Sequence, residues 1–219
     1  TLDTLGVNSR SDVVQGNPAP TIADYADRYG YDLIILPTHG RKGVSRYLLG
    51  SITEKVVRLA SVPILTVRMG SNEELIFPYQ DILIATDGSG GATYAAEHGL
   101  SLATAVDSTV HLLSAVEDTS LRPNSRSTIS GLQREQVATD AIDELVSKAE
   151  SHGISDIVRH INHGAPVSVL LDAVEANDID AVVTGTTGRR GSNRILLGSV
   201  AERIVRAAPV PVVTVRQAK

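Results

Sequence analysis

The residues best arranged for chemistry in this sequence are glycines set between a strand-like and a helix-like segment. Gly185, Gly188, Gly191, Gly198 and Ser199 follow the spacing G-x2-G-x9-G-S, directly after Ala181-Val182-Val183. Glycines there let backbone amides approach an anion, and the N-terminus of the following helix adds partial positive charge. A phosphate cradle is the chemistry this arrangement suits. A carboxylate stands in a second turn, where Thr86-Asp87-Gly88-Ser89 closes the apolar run 81–86. Asp87 has two readings from sequence: a ligand contact, or the N-cap of the helix that follows. No G-x4-G-K-[ST] phosphate loop is present, so no lysine is placed to stabilise a transferring phosphoryl group. The six histidines are scattered, with no Ser-His-Asp spacing and no cluster resembling a metal site. His163, beside Gly164, is read as a surface residue or at most a rim residue.

The glycine pattern occurs twice. The other copy lies 148 residues earlier, running from Pro37 through Gly40 and Gly43 to Gly50-Ser51 after the apolar run 33–36. Residues 37–68 and 185–216 share 18 identities in 32 positions, including Glu54/Glu202, Arg58/Arg206 and Pro63/Pro211. Such self-similarity marks duplication. The first copy departs where it matters, because Pro37 replaces the first glycine and has no N–H to donate.

The elements that must position these residues follow from periodicity and punctuation. In residues 81–219, short apolar runs at 81–86, 109–116, 156–161, 181–184 and 211–215 read as strands. Helices are expected at 91–106, around Ala138, Ile142, Leu145 and Ala149, from Pro166 for about three turns, and at 199–207. Residues 117–130 read as a long loop. Strands alternating with helices imply a parallel sheet covered on both faces. Residues 1–68 contain only the latter half of this plan: a strand at Val13-Val14, a helix from Pro18, a strand at 32–36, a helix at 51–60 and a strand from Pro63. Residues 69–80 read as the linker.

Composition narrows the function classes. The chain of 219 residues is 42% hydrophobic and carries a net charge of −5, which disfavours a general nucleic-acid binder. Aromatics make up 3%, too few for a base-stacking platform. No apolar run approaches the roughly 20 residues of a membrane span, so no membrane partner is expected. Cysteine is absent, which excludes disulfides and thiolate chemistry and suits a cytoplasmic location. The sequence opens on Thr1 and its single methionine is Met69, so truncation or processing at the N-terminus is expected.

Three features in order carry a resemblance: a strand ending in Thr86-Asp87-Gly88-Ser89, the Gly164-x-Pro166 turn, and the G-x2-G-x9-G-S loop before a Pro-Val-Val-x-Val strand. In these, residues 81–216 resemble the universal stress protein family, and the whole chain resembles a tandem-domain member with a partial first domain. The resemblance implies an α/β fold: a Rossmann-like five-stranded parallel sheet in the order 3-2-1-4-5, flanked by helices, plus a partial copy of that domain. It implies ATP as the ligand, with Mg²⁺ able to accompany it and Asp87 the nearest carboxylate. Carried over by position, Asp87 would meet the ribose or lie beside the phosphates, in the turn formed with Thr86 and Gly88. The backbone at Ala115 would meet the adenine. Gly185 and Gly188 would border ribose and phosphates, while Gly198, Ser199 and Val200 would hold phosphate oxygens. Arg189 either balances phosphate charge or points into solvent. Fifth strands of two such domains pair antiparallel, so Pro63 to Val67 and Pro211 to Val215 are expected to form a pseudo-dimer within one chain or a homo-oligomer between chains.

The expected function is a nucleotide-dependent stress-response regulator with at most slow ATP hydrolysis. Two other readings stand beside it: a nucleotide-independent dimeric scaffold, and an ATP-cleaving enzyme of the adenine-nucleotide α-hydrolase-like group. The first unit, lacking an Asp-bearing strand, is not expected to hold ATP unaided. Its strand at 33–36 is expected to have an open apolar edge, to be covered by another polypeptide or by residues outside this sequence.

Overall fold

A computed structural model describes residues 8–38, 49–68, 77–117, 131–186 and 197–217. In the first unit, α1 (Pro18–Tyr29), β1 (Ile34–Pro37), α2 (Ser51–Leu59) and β2 (Ile64–Val67) follow one another. The second unit continues with β3 (Asp81–Thr86), α3 (Gly90–Val106), β4 (Thr109–Val116), α4 (Gly131–Ser151), β5 (Ile157–His163), α5 (Pro166–Ala176), β6 (Ala181–Gly185), α6 (Ser199–Ala207) and β7 (Val212–Val215). Two helices open on proline, Pro18 and Pro166, where the missing N–H breaks no intrahelical bond.

The strands form one sheet in the order β1-β2-β7-β6-β3-β4-β5. Taken alone, the five strands of the second unit run parallel in the expected order 3-2-1-4-5. The difference from expectation is continuity: the partial copy adds two strands to the same sheet. β2 joins β7 antiparallel, with Leu65 opposite Val213 and with Ile64 and Thr66 opposite Thr214 and Val212. Since 64–66 are the repeat equivalents of 212–214, this seam is a local pseudo-twofold. The buried Thr66 hydroxyl donates across it to the Val212 carbonyl at 3.0 Å.

Strand residues alternate between two covered faces, which explains why the strands read as unbroken apolar runs. On one face, Ile82, Ile84, Val110, Leu112 and Val183 pack under Ala95, Ala96 and Leu100 of α3 and Ile142 and Leu145 of α4. On the other, Leu83, Leu113, Val182 and Val212 pack under α5 and α6. A third cluster joins α1 and α2 to Ile34 and Ile64, with Ala19, Ala23 and Ala26 as its small-residue face. Tyr79, read from sequence as linker, is buried in the first of these cores.

Val13-Val14 is not a strand, contrary to expectation: both residues are exposed and pair with nothing in the sheet. The physical reason lies in the second unit, where the equivalent β5 exists by hydrogen bonding to β4. No counterpart of β4 stands beside the first unit among the described residues, so an isolated apolar pair has no ladder to join. The same gap shows at β1, whose only neighbour in the sheet among the described residues is β2. Leu33 and Ile35 are 42% and 62% exposed, whereas their equivalents Ala181 and Val183 are fully buried beside β3.

Candidate functional site

The carboxyl ends of β3, β4 and β6 surround a cavity of about 450 Å³, closed further by the N-terminal two turns of α4 and α5 and the first turn of α6. This is the region where ligands lie in open parallel sheets, and the volume falls in the range of small-molecule sites. Its floor combines apolar groups (Leu113, Ala115, Val137, Leu170) with polar ones at Asp87 and Ser199.

Two turns shape the polar end. In the first, the Thr86 hydroxyl accepts from the Gly88 amide at 3.0 Å, and Asp87 Oδ1 accepts from the Ser89 amide at 3.0 Å. Gly88 sits at φ 71°, a left-handed conformation that glycine adopts without a side-chain clash. Ser89, not Asp87, is the N-cap of α3, its hydroxyl accepting from the Ala92 amide at 3.2 Å. The helix-cap reading of Asp87 therefore fails, and its carboxylate shapes the turn on the cavity wall.

The second turn leads into α6. Gly198 is the N-cap and lacks a side chain to cap the helix. Its own amide donates to the Thr186 carbonyl at 2.7 Å, and its carbonyl accepts from the Glu202 amide at 2.9 Å. Gly198 thus anchors the loop, and the amides of Ser199, Val200 and Ala201 are the helix's first-turn donors without intrahelical acceptors. The first unit repeats this base, with Gly50 donating to Thr38 at 2.8 Å and Thr38 to Val67 at 2.8 Å. Pro37 is accommodated because β1 is an edge strand.

Of the residues singled out from sequence, Thr86, Asp87, Ala115, Gly185, Gly198, Ser199 and Val200 all line this one cavity. Gly88 shapes its rim turn without lining it. Gly188, Arg189, Arg194 and the loop beyond Glu117 lie outside the described residues. Gly185 has a packing role of its own: a Cβ there would meet the Gly91 carbonyl oxygen at 2.9 Å. His163 is exposed on β5, and Arg206 pairs with Glu202 at 2.8 Å on α6. Sequence reasoning missed Glu117, Arg134, Val137 and Ala138 as lining residues. One signal was available, because extending the α4 stripe back one turn from Ala138 lands on Arg134.

A second polar cluster lies toward the opposite end of the strands. His111, buried on β4, is 3.0 Å through Nε2 from Asp81 Oδ1 and 3.0 Å through Nδ1 from His160 Nε2. Both contacts are hydrogen bonds when neutral His111 donates to Asp81 and accepts from His160. Asp180 completes the corner, accepting from the Gln80 and Asp81 amides at 2.6 and 3.1 Å. Burial, reinforced by the adjacent His111, holds the His160 imidazole below the usual histidine range. The unfolded chain then binds this proton more readily, so stability is present above about pH 6.5 and falls as pH drops toward the lowered value. The melting temperature is expected to decline on acidification below pH 6.5. His160→Gln keeps the donor without the titration and should flatten that decline in thermal melts across pH; an unchanged slope would remove His160 as its source.

Among the described residues, no group of three or more His, Cys, Asp or Glu side chains is placed to hold a metal ion. No helix among them is long and apolar enough to cross a membrane.

The model of the universal stress protein family matches residues 2–68 and again 78–216. The chain belongs to the universal stress protein family. A universal stress protein of Methanocaldococcus jannaschii is 34% identical over 145 residues, covering 64% of this chain and 84% of that protein. One from Mycobacterium tuberculosis H37Rv is 25% identical over 211 residues, which is 95% of this chain and 69% of the relative. Among solved structures, a universal stress protein of Pseudomonas aeruginosa superposes with a TM-score of 0.67 at 20% identity, covering 92% of this chain and 69% of that one. Another, from Archaeoglobus fulgidus, gives 0.66 at 24% identity over 93% of this chain and 67% of that one. At such identities these structures speak for the fold. The three matches that cover more than nine-tenths of this chain span the two units together.

Proposed function

We propose that the cavity binds an adenine nucleotide, ATP first, and that this universal stress protein acts as a nucleotide-dependent stress-response regulator. The observation that carries the reading is the convergence on one cavity of an α6 N-terminus without a side-chain cap, the Asp87 turn and an apolar wall. First-turn amides and the helix dipole suit phosphate oxygens. The Asp87 carboxylate suits ribose hydroxyls, and Ala115 with Leu113 and Leu170 suits the faces of a purine. Gly188 and Arg189 complete the phosphate side in this reading, and Mg²⁺ arrives on the phosphates. The sequence carries no phosphate-loop lysine to stabilise a transferring phosphoryl group, which favours binding over turnover. A cytoplasmic location and a pseudo-dimer formed across the β2–β7 seam belong to the same proposal.

Mass analysis of ligand carried through purification, together with thermal melts in Mg-ATP, tests it. At 100 times the dissociation constant, binding should stabilise the fold by about 2.7 kcal/mol. No carried nucleotide and no shift at millimolar Mg-ATP would leave the scaffold reading in its place. Steady ATP turnover abolished by Asp87→Ala would favour the enzyme reading.

A further inference from the structure

Leu49 and Leu197 are repeat equivalents, each standing immediately before the glycine that opens α2 or α6. Both are buried, but in exchanged places. Leu49, from the first unit, belongs to the core under α5 and α6, with Ile204, Val205 and Val212. Leu197, from the second unit, belongs to the core of α1 and α2, with Val56, Val57 and Ile64. Ala201, in the first turn of α6, joins it there. The exchange obeys the pseudo-twofold that passes through Leu65 and Val213.

We infer that the first unit is a positioning element for the anion-binding end of the second, acting through Leu197 and Ala201. This rests on the reading of the cavity as a nucleotide site. Leu197 is one residue from Gly198 and two from Ser199, so its socket fixes where the α6 first-turn amides point. Three restraints meet here: the Gly198–Thr186 hydrogen bond, the Gly198–Glu202 hydrogen bond, and the side chain of Leu197 held in the other unit. Donors for a charge are effective when their direction is set before the ligand arrives, and a shift well below an ångström degrades them. The first unit therefore need not hold a ligand itself to matter to the site. Its core supplies the wall against which α6 starts. The partial copy then has a task in the protein's function, and changes in its packing reach the cavity.

Two matched core truncations test this. Val56 lies in α2, wholly buried and outside the cavity wall; Val110 lies in β4, equally buried, toward the far end of the sheet from the cavity. Val56→Ala and Leu197→Ala are expected to weaken Mg-ATP binding by fivefold or more, measured by calorimetry at a temperature where circular dichroism shows each variant folded. Val110→Ala should leave affinity within twofold. A ligand-independent readout accompanies these: the Glu202 amide, hydrogen-bonded to Gly198, should exchange faster in Val56→Ala than in Val110→Ala at equal global stability. Wild-type affinity in both Val56→Ala and Leu197→Ala, or equal Glu202 exchange in Val56→Ala and Val110→Ala, would overturn the inference. If the wild type binds no nucleotide, the nucleotide reading fails alone, and Glu202 exchange still decides whether the first unit positions α6.

Discussion

Ser199→Asp is expected to weaken Mg-ATP binding at least tenfold while leaving the ligand-free protein as stable as before, or slightly more so. Ser199 is the first residue of α6 and lines the cavity, and its N-cap, Gly198, has no side chain to cap this helix. An aspartate in the first turn interacts favourably with the helix dipole, by about 0.3–1 kcal/mol. The same charge occupies the position where phosphate would lie, and like charges at close range repel by about 1 kcal/mol even in bulk water, more in a partly enclosed cavity. Stability and affinity therefore move in opposite directions. A merely structural role for Ser199 predicts no such split. Calorimetric titration beside ligand-free thermal melts would show it, and retained affinity would remove the α6 N-terminus from the ligand site.

Gly185→Val should destabilise the ligand-free protein by about 3 kcal/mol, within the range of an overpacked core. The first added carbon already meets the Gly91 carbonyl oxygen at 2.9 Å and the Gly91 carbonyl carbon at 3.1 Å. Backbone cannot swing aside as a side-chain tip can, so the start of α3 must move. That movement disturbs the Ser89 cap and the Asp87 turn together. In the first unit, Pro37→Gly makes the complementary test. Pro37 already tolerates its place on the edge strand, so gaining glycine there should change stability by less than about 1 kcal/mol. Urea unfolding of both variants without nucleotide measures the contrast. An unaffected Gly185→Val would mean that α3 is not packed against β6 as described.

The pattern G-x2-G-x9-G-S thus has two origins that look alike in sequence. Gly198 anchors a helix start, whereas Gly185 makes room for the backbone of another helix. Both requirements select small residues, and spacing alone does not separate them. Asp87 shows the same ambiguity: its place before α3 suggested a cap, but Ser89 is two residues nearer the helix and takes that role. Local geometry of one or two residues decided between readings that composition left equal.

Apart from the strand expected at Val13-Val14, the order of strands and helices was legible in the sequence, as were the duplication and the membership of the universal stress protein family. These rest on hydrophobic periodicity, turn residues and self-similarity, which act over a few residues or repeat at a fixed offset. The same local signals marked Asp87, Gly185, Gly198 and Ser199, the family resemblance added Ala115 and Val200, and the fold brings all six to one cavity. Only the tertiary structure decided which distant groups meet. Asp81, His111 and His160 come together because parallel register sets Leu83 beside His111 and Leu113 beside His160. Leu49 and Leu197 change places because the β2–β7 seam turns one unit against the other. Such contacts depend on how strands align across the sheet, and that alignment is settled by the packing of the whole core rather than by any segment of the chain.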